Sequence, residues 1–243
     1  MRWRERDGVR WLEAELPGAL AAFSTRVGGA SEGRFESLNL GRLTGDPAVR
    51  ENRHRLAAAL GVEPDLVLIG RQVHGARVIE HDGPTEPRAY AEPAPGLPDA
   101  DGHATAQPGL VPLVFVADCL PVALAGDGAV AMIHCGWRGL AGGIVRRGVK
   151  AVGARAAAIG PGIGPCCYEV GEEVLAAFEG LGPGIASGRM LDLRAVARRL
   201  LEDAGVEHVE IAELCTRCNP DLFFSHRRDG EPTGRQAGLV WAT

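Results

Sequence analysis

The sequence predicts an α/β fold, arranged as a single layered domain with mixed sheets over residues 1–243. Short apolar runs rich in Val, Ile, Leu and Ala, typical of buried strands, alternate with segments of helical character. No clean linker and no internal repeat interrupts this alternation. The composition, 46% hydrophobic and 23% charged over 243 residues, is that of a globular protein.

The first half of the chain is predicted to hold several strands and one helix. Strands are expected at 9–16, 20–25, 66–69 and 76–80. A helix is expected to begin at Asp46-Pro47, because Asp is a favoured N-cap and Pro is favoured at the first helical position, and to end at Gly61. The Gly- and Ser-rich segment 26–45 and the Pro-rich segment 82–98 are expected to be irregular.

The second half alternates strands with helices. Strands are predicted at 111–117, 121–125, 129–134, 156–159 and 208–211, and helices at 140–152, 170–178 and 192–204. Gly142 and Gly143 are weak points within the first of these helices. The segment 160–165 is a Gly-Pro turn, and the chain from Cys215 onward is polar and rich in arginine.

Charge and hydropathy argue against nucleic-acid binding and against a membrane span, and they suit a protein of a reducing compartment. The net charge of −5 argues against nucleic-acid binding. The most apolar tract, 109–132, is broken by Asp118, Pro121 and Asp127, so no membrane span is expected. The N-terminal residues lack the apolar stretch of a signal peptide, and we therefore expect six reduced cysteines and a cytoplasmic location.

Three candidate metal ligands, His74, Cys119 and His134, each follow or end a predicted strand. Strand ends are where an α/β sheet presents functional groups to a crevice. Two imidazoles and one thiolate form a three-ligand set for zinc with the fourth position open, as in catalytic zinc sites. We therefore interpret these residues as a candidate catalytic metal site.

Motifs spread over most of the chain resemble those of one known family. They are STRVGG at 24–29, NLG at 39–41, QVHG at 72–75, DAD at 99–101, ADCLP at 117–121, HCGWRG at 134–139, GPGIG at 160–164 and FFSHRR at 223–228. Together they resemble the laccase-domain family, also called the multicopper polyphenol oxidase family or the zinc-dependent purine nucleoside phosphorylase family. The resemblance runs from about residue 20 to the C-terminus.

This resemblance implies a cysteine-hydrolase-like α/β fold and a zinc ion held by His74, Cys119 and His134. It implies phosphorolysis of adenosine, inosine and methylthioadenosine, with a nucleoside and phosphate as the small-molecule partners. Deamination of adenosine is implied as a side activity. Bacterial relatives are also linked to editing of peptidoglycan precursors. His226, where the family usually has Tyr, and Cys135, where it commonly has a small residue, leave the substrate preference open.

The oxidase name of the family does not suit the histidine content. A laccase uses about a dozen copper ligands, most of them histidine, and its blue copper site has two His, one Cys and an axial Met. The chain has 7 His and 3 Met. Copper can occupy a His-Cys-His site adventitiously, because it outcompetes zinc at most nitrogen and sulfur sites. Copper-dependent polyphenol oxidation is therefore the disfavoured alternative.

Several polar residues in the matching motifs are candidates for substrate binding and proton transfer. Arg26 and Arg138 lie in Gly-flanked segments, and a guanidinium binds phosphate bidentately. Asn39 and Gln72 are candidates for hydrogen bonds to ribose or base.

The predicted catalytic set consists of His74, Cys119, His134, Asp118 and Arg138. Asp118, and also Asp101, are candidates to orient a metal ligand or to move protons.

Two other functions use the same three residues. Cys119 can be a thiolate nucleophile with His134 or His74 as its base, in a metal-free hydrolase acting on a peptidoglycan precursor. A non-enzymatic metal-binding regulatory module is a third possibility, although two His and one Cys do not make a closed structural site.

We assign no catalytic role to the four cysteines of the segments 166–167 and 215–218. Cys215 and Cys218 form a C-x-x-C motif without a second such pair, and we interpret them as structural thiols rather than a redox centre. Cys166 and Cys167 follow the Gly-Pro turn and can line the pocket.

Overall fold

A computed structural model of the protein describes residues 1–84, 89–90 and 96–243. Its strands are β1 (Arg2–Arg6), β2 (Val9–Leu16), β3 (Ala19–Ser24), β4 (Val67–Leu68), β5 (Val78–His81), β6 (Gly102–Thr105), β7 (Val111–Val116), β8 (Leu120–Ala125), β9 (Val130–Cys135), β10 (Ala156–Ile159), β11 (Ala186–Ser187), β12 (Met190–Leu191), β13 (His208–Ile211) and β14 (Gln236–Ala242). Its α-helices are α1 (Val49–Leu60), α2 (Trp137–Ala141), α3 (Ile144–Val152), α4 (Glu172–Ala176), α5 (Leu193–Asp203) and α6 (His226–Asp229).

The strands form two six-stranded sheets and one short hairpin. The first sheet has the order β1-β2-β3-β14-β7-β4 and the second β13-β10-β8-β9-β6-β5, while β11 pairs with β12. Both large sheets are mixed: β4 with β7, β5 with β6 and β10 with β13 are parallel, and the other pairs are antiparallel. The predicted α/β class with mixed sheets is confirmed.

The two large sheets pack face to face over a shared apolar core. Val114 and Val240 of the first sheet lie in one buried cluster with Met132 and Ala158 of the second. The opposite face of the second sheet is covered by α3 and α5, and α1 packs on the first sheet. This shared core supports one domain over residues 1–243, which stays a prediction.

Most elements lie where the hydrophobic pattern predicts them. The strands at 9–16, 156–159 and 208–211 agree residue for residue with β2, β10 and β13. Gly61 ends α1 in the left-handed conformation, with φ 70°. The Asp46 carboxylate accepts the backbone N–H of Ala48 at 3.0 Å, so it precedes α1 instead of capping it directly.

The structure departs from the prediction in two ways: one expected helix is divided, and several short elements were not predicted. The helix expected at 140–152 is divided, because Gly143 adopts φ 83° between α2 and α3. The strands β1, β6, β11, β12 and β14 and the short helix α6 were not predicted, and β14 occupies the centre of the first sheet. It follows a polar, Arg-rich segment, so its short apolar run gave too weak a local signal.

The segment 82–98, predicted to be irregular, is described only in part. Residues 85–88 and 91–95 of it lie outside the described residues. Within the described part of the chain, no helix has both the length and the apolar character needed to cross a membrane.

Candidate active site

His74, Cys119 and His134 converge where the two large sheets meet. Cys119 lies in the connection that leaves β7 in the first sheet and enters β8 in the second. Antiparallel pairing of β8 with β9 sets Pro121 opposite His134, and His74 comes from the loop after β4. The nitrogen and sulfur ligand atoms of the three residues all lie within 4.8 Å of one another.

The buried carboxylate of Asp101 positions both histidines. Its Oδ1 lies 2.8 Å from Nδ1 of His134, which leaves Nε2 of that ring for the site. The same carboxylate accepts the backbone N–H groups of Val73, His74 and Gly75 at 2.8–3.0 Å. Burial raises the pKa of Asp101, but these hydrogen bonds, led by the one from His134, lower it below the ordinary value. Asp101 and Asp118 were both candidates to orient a metal ligand or to move protons, and Asp101 is the one whose carboxylate contacts a candidate ligand side chain.

The backbone at the site has unusual dihedral angles at two positions and a very close contact at a third. His74 and Asp118 have φ values of 58° and 90°, in a region that residues other than glycine rarely adopt. At Gly136, an added Cβ would lie 2.9 Å from the Cys119 sulfur and 3.4 Å from Cδ2 of His74. The chain from Gly136 therefore passes directly against two of the three candidate ligands, and only glycine fits there.

The interaction between Cys119 and His134 favours the thiolate form of Cys119. Burial alone would raise the pKa of Cys119, but the adjacent His134 lowers it to about 6. Burial alone would lower the pKa of His134, but Cys119 and then Asp101 raise it to about 9. The thiolate is the form that binds metals and that acts as a nucleophile. In the protein without metal, a thiolate–imidazolium pair is therefore favoured at neutral pH.

The three residues line a cavity of about 1010 Å³. Arginines and rings supply much of its remaining wall, namely Arg42, Arg71, Arg138, Arg227, Arg235, His226, Phe115, Trp137 and Tyr168. The cavity is at the large end of the range for small-molecule pockets, and its cationic lining suits an anionic substrate group.

The arginines of this wall differ in their ionic partners. Arg71 binds Asp99 with both a 2.5 Å and a 2.8 Å contact, and Arg235 lies 3.3 Å from Glu231. The guanidinium of Arg138 lies 4.4 Å from the ring centre of Trp137, and no ion pair with a described carboxylate occupies it. The charge of Arg138 at the cavity wall is thus not paired with a described carboxylate.

Two further predicted site residues reach the cavity wall, but their polar groups already bind the protein. The Gln72 amide donates to the Phe115 carbonyl and accepts the Phe115 N–H, each at 2.8 Å. The Asp118 carboxylate accepts the Thr216 hydroxyl at 2.5 Å and the Arg227 N–H at 2.7 Å. Both residues therefore hold the wall in shape, and these contacts make Asp118 a positioning residue.

The structure corrects the expected placement of Arg26 and Asn39, since neither lines the cavity. The Arg26 guanidinium donates to the carbonyls of Glu36 and Pro220 and stacks on Phe224. Asn39 is fully buried, and its amide bonds to groups of its own loop and to the Arg235 N–H. Both residues join segments that are distant in sequence, which a motif alone cannot distinguish from ligand binding.

Some residues of the cavity wall were not predicted from the sequence. Arg42, Tyr168 and Arg235 come from segments without a motif signal, and they meet only through long-range packing. Burial, together with Cys119, raises the pKa of Tyr168 to about 12, so this residue remains a neutral phenol. Arg227 packs 5.1 Å from its ring centre. For Arg227, the FFSHRR motif at 223–228 was the sequence feature that could have indicated a place in the cavity wall.

Among the described residues, two groups of side chains can hold a metal ion. One is His74, Cys119 and His134, and the other consists of Cys166, Cys167, Cys215 and Cys218. The second group contains no histidine, so the described residues do not offer the additional histidine-rich copper centre of a laccase.

These features define a class of protein: a mixed-sheet α/β scaffold with a His-Cys-His group that could hold a metal ion, beside a cationic cavity. The chain belongs to the family described as multi-copper polyphenol oxidoreductase laccase, whose model matches residues 20–243.

Relatives match nearly the whole chain. Purine nucleoside phosphorylase YlmD from Geobacillus stearothermophilus is 36% identical, with 97% of this chain and 96% of that protein covered. A purine nucleoside phosphorylase from Deinococcus radiodurans is 41% identical, with coverages of 96% and 93%. Among solved structures, YlmD from G. stearothermophilus superposes with a TM-score of 0.86 at 34% identity, covering 98% of this chain and 97% of that one. Neisseria meningitidis protein NMB0706 gives a TM-score of 0.81 at 37% identity, with coverages of 96% and 98%.

Proposed function

We propose that this protein is a zinc-dependent purine nucleoside phosphorylase that cleaves adenosine, inosine and methylthioadenosine with phosphate, and that it deaminates adenosine as a side activity. The observation that carries the proposal is the convergence of His74, Cys119 and His134 within 4.8 Å, at the wall of a cavity lined by arginines and rings. The names of the related phosphorylases support the same reaction.

The donor set fits zinc. Two imidazole nitrogens and one thiolate are common zinc ligands, and three protein ligands leave a position open. The hydrogen bond from His134 to Asp101 is the carboxylate–histidine contact that accompanies metal-binding histidines. Zinc bound by His74, Cys119 and His134 would supply Lewis-acid polarisation at the open position. Copper remains the alternative metal for the same donors.

Different groups of the cavity wall bind the two substrates, phosphate and the nucleoside. Arg138, which has no described carboxylate partner, binds the phosphate, with Arg227 as a second cation at the same wall. The rings of Trp137 and Tyr168 offer stacking surfaces for a purine. In phosphorolysis a phosphate oxygen bonds to C1′ of the ribose, and the bond to the purine breaks with both electrons leaving on the base. Holding both reactants in one cavity favours this step by proximity.

Product identification tests the reaction class. Adenosine is incubated with the purified protein in phosphate buffer and in phosphate-free buffer. The proposal predicts adenine and ribose 1-phosphate only when phosphate is present, and inosine in both buffers from the side activity. The proposal is contradicted if protein that retains zinc forms no ribose 1-phosphate from adenosine or inosine and no 5-methylthioribose 1-phosphate from methylthioadenosine.

One observation favours a second function, a metal-free cysteine hydrolase. The Asp101 carboxylate contacts the His134 imidazole, which in turn lies beside the Cys119 thiol, the spatial order of a cysteine nucleophile with its base and orienting carboxylate. His134 also lowers the pKa of Cys119 to about 6. Such a site would cleave an amide, for example in a peptidoglycan precursor. Alkylation separates the two functions: iodoacetamide modifies a free thiolate rapidly, whereas a zinc-bound Cys119 is protected until a chelator removes the metal. Rapid modification of Cys119 in protein purified without chelator would favour the hydrolase.

We also propose a cytoplasmic location. All six cysteines are free thiols, including the exposed Cys166 and Cys218, as expected in a reducing compartment.

A further inference from the structure

We propose that Cys166, Cys167, Cys215 and Cys218 bind a second zinc ion, as a closed four-thiolate site that is separate from His74, Cys119 and His134. The sequence alone did not predict it, because the second pair of ligands is an adjacent Cys-Cys and not another C-x-x-C. The proposal does not depend on the reaction that the protein catalyses.

The spacing of the four sulfur atoms fits one tetrahedral ion. All four lie within 4.8 Å of one another, and Cys218 Sγ lies 3.6 Å from that of Cys166 and 3.3 Å from that of Cys167. A Zn–S bond of about 2.3 Å places tetrahedral sulfurs roughly 3.8 Å apart. A disulfide would need a separation of about 2.05 Å, and all four thiols are free.

Backbone hydrogen bonds bring the two cysteine pairs together independently of any metal. Cys215 forms a parallel bridge with Gly162, and the Thr216 N–H donates to the Gly162 carbonyl at 3.0 Å. The backbone N–H and the side-chain amide of Asn219 both donate to the Cys215 carbonyl, which folds Cys218 back toward Cys215. The chain therefore presents the four thiols in a preformed arrangement.

The surroundings of the cluster suit bound thiolates. The Gly164 N–H donates to the Cys215 sulfur at 3.2 Å, a contact that stabilises negative charge on a ligand. A Cβ on Gly164 would lie 3.2 Å from Cys215 Cβ, 3.4 Å from Cys166 Sγ and 3.2 Å from Nη2 of Arg194. The Arg194 guanidinium is thus next to the cluster and offsets the negative charge that four thiolates leave on a divalent ion.

The ligand number and spacing indicate a single tetrahedral ion and the type of site. Four thiolates in tetrahedral geometry are typical of zinc or of iron–sulfur centres. In an iron–sulfur cluster the thiolates bind different irons and stand farther apart, so the close packing here favours a single ion. With four protein ligands no position remains open for substrate, and the site is therefore structural.

Such an ion would support the wall of the cavity. Cys167 directly precedes Tyr168, which lines the cavity, and Thr216 lies between the other two ligands and donates to Asp118. Joining the two segments through a metal would fix the position of Tyr168 relative to Asp118. The structural ion would thus stabilise the catalytic cavity without touching its contents.

Elemental analysis of the native protein, purified without chelator, is the first test. The proposal predicts that the double variant Cys166→Ser/Cys218→Ser holds about one zinc ion fewer per chain than the native protein, namely about one instead of about two when His74, Cys119 and His134 also hold zinc. Both substituted residues are exposed, so little packing is lost. Cys135→Ala, which removes a buried thiol outside both clusters, is the matched control and should retain the zinc content of the native protein.

Thiol reactivity of the native protein keeps the proposal testable even if the double variant fails to fold. Exposed Cys166 and Cys218 should react slowly with a disulfide reagent and rapidly after the metal is removed. The proposal is overturned if both thiols react at the rate of free thiols before metal removal. It is also overturned if anaerobically purified protein contains a disulfide within the cluster, or if the double variant folds and keeps the full zinc content of the native chain.

Discussion

Asp101 and His134 form the hydrogen bond that determines how the candidate metal site is assembled, with 2.8 Å between the carboxylate oxygen and Nδ1. Because the same carboxylate also accepts N–H groups from the loop of His74, one buried side chain positions two of the three ligands. The third ligand, Cys119, is held independently by the strand connection between the sheets.

Asp101→Asn should therefore weaken zinc binding without removing a ligand. The amide has one oxygen, so it cannot accept the hydrogen bonds that both carboxylate oxygens accept from His134 and from the loop of His74. It also loses the negative charge that favours the Nδ1–H tautomer of His134. We expect a 10- to 100-fold loss of zinc affinity, about the effect of losing an orienting partner. Competition with a chromogenic chelator measures it, and Asp203→Asn on α5 is the control. An unchanged affinity in the folded variant would exclude this role for Asp101.

Gly136→Ala should disturb the site by steric contact alone. The new Cβ would lie 2.9 Å from the Cys119 sulfur, whereas the backbone φ of −82° at this position accepts alanine. We expect normal secondary structure by circular dichroism, together with loss of zinc and of nucleoside cleavage. Gly180→Ala, where an added Cβ meets nothing within 4 Å, should retain both. Full zinc content in Gly136→Ala would show that Cys119 is not held against this segment.

Arg138→Gln should impair phosphate binding more than zinc binding. The side chain lies at the cavity wall, stacked on Trp137, and is not a metal ligand. A charge-assisted hydrogen bond contributes about 1.5–3 kcal/mol, so the KM for phosphate should rise roughly 10- to 150-fold. Steady-state kinetics with varied phosphate measures this change, and exposed Arg146→Gln on α3 is the control. A variant with an unchanged KM for phosphate would assign the anion to another arginine.

His103 should make the protein less stable in acid. Burial lowers the pKa of His103 from 6.5 to about 3, with a further decrease from His81, whose Nε2 lies 3.0 Å away. Because the pKa is lower in the folded protein than in the unfolded chain, the unfolded chain binds the extra proton. This contribution to stability is complete above about pH 6.5 and is lost as the pH falls toward 3.

Urea unfolding at several pH values tests this linkage. Between pH 6.5 and 3, a single such histidine changes the unfolding free energy by up to about 1.4 kcal/mol per pH unit. His103→Asn keeps a polar partner for His81 and does not titrate, so its stability should fall less steeply with acid. The exposed His54→Asn on α1 should show the native slope. Equal slopes for all three proteins would exclude His103 as a source of acid sensitivity.

The sequence predicted the side chains that converge in the candidate metal site more completely than the residues around them. His74, Cys119 and His134 were found because each follows or ends an apolar strand, and such strands are visible in a local window. Which strands pair is not visible in such a window: the antiparallel pairing of β8 with β9 brings Cys119 to His134.

Features that depend on long-range contacts could not be predicted in this way. Arg26 and Arg138 look alike in sequence, yet Arg26 bonds to carbonyls outside the cavity and Arg138 lines it. Asp101 and Asp118 both lie near candidate ligands, but only Asp101 contacts one through its side chain. The four-cysteine cluster became visible once Gly162 and Cys215 were seen to be neighbours.

The position of the active-site zinc tests the central claim most directly. Anomalous diffraction at the zinc edge, from crystals of protein purified without chelator, locates each ion. The account predicts a peak at about 2.0–2.3 Å from a nitrogen of His74, the sulfur of Cys119 and Nε2 of His134, with one position not filled by protein. A map with no peak among these three side chains would contradict it.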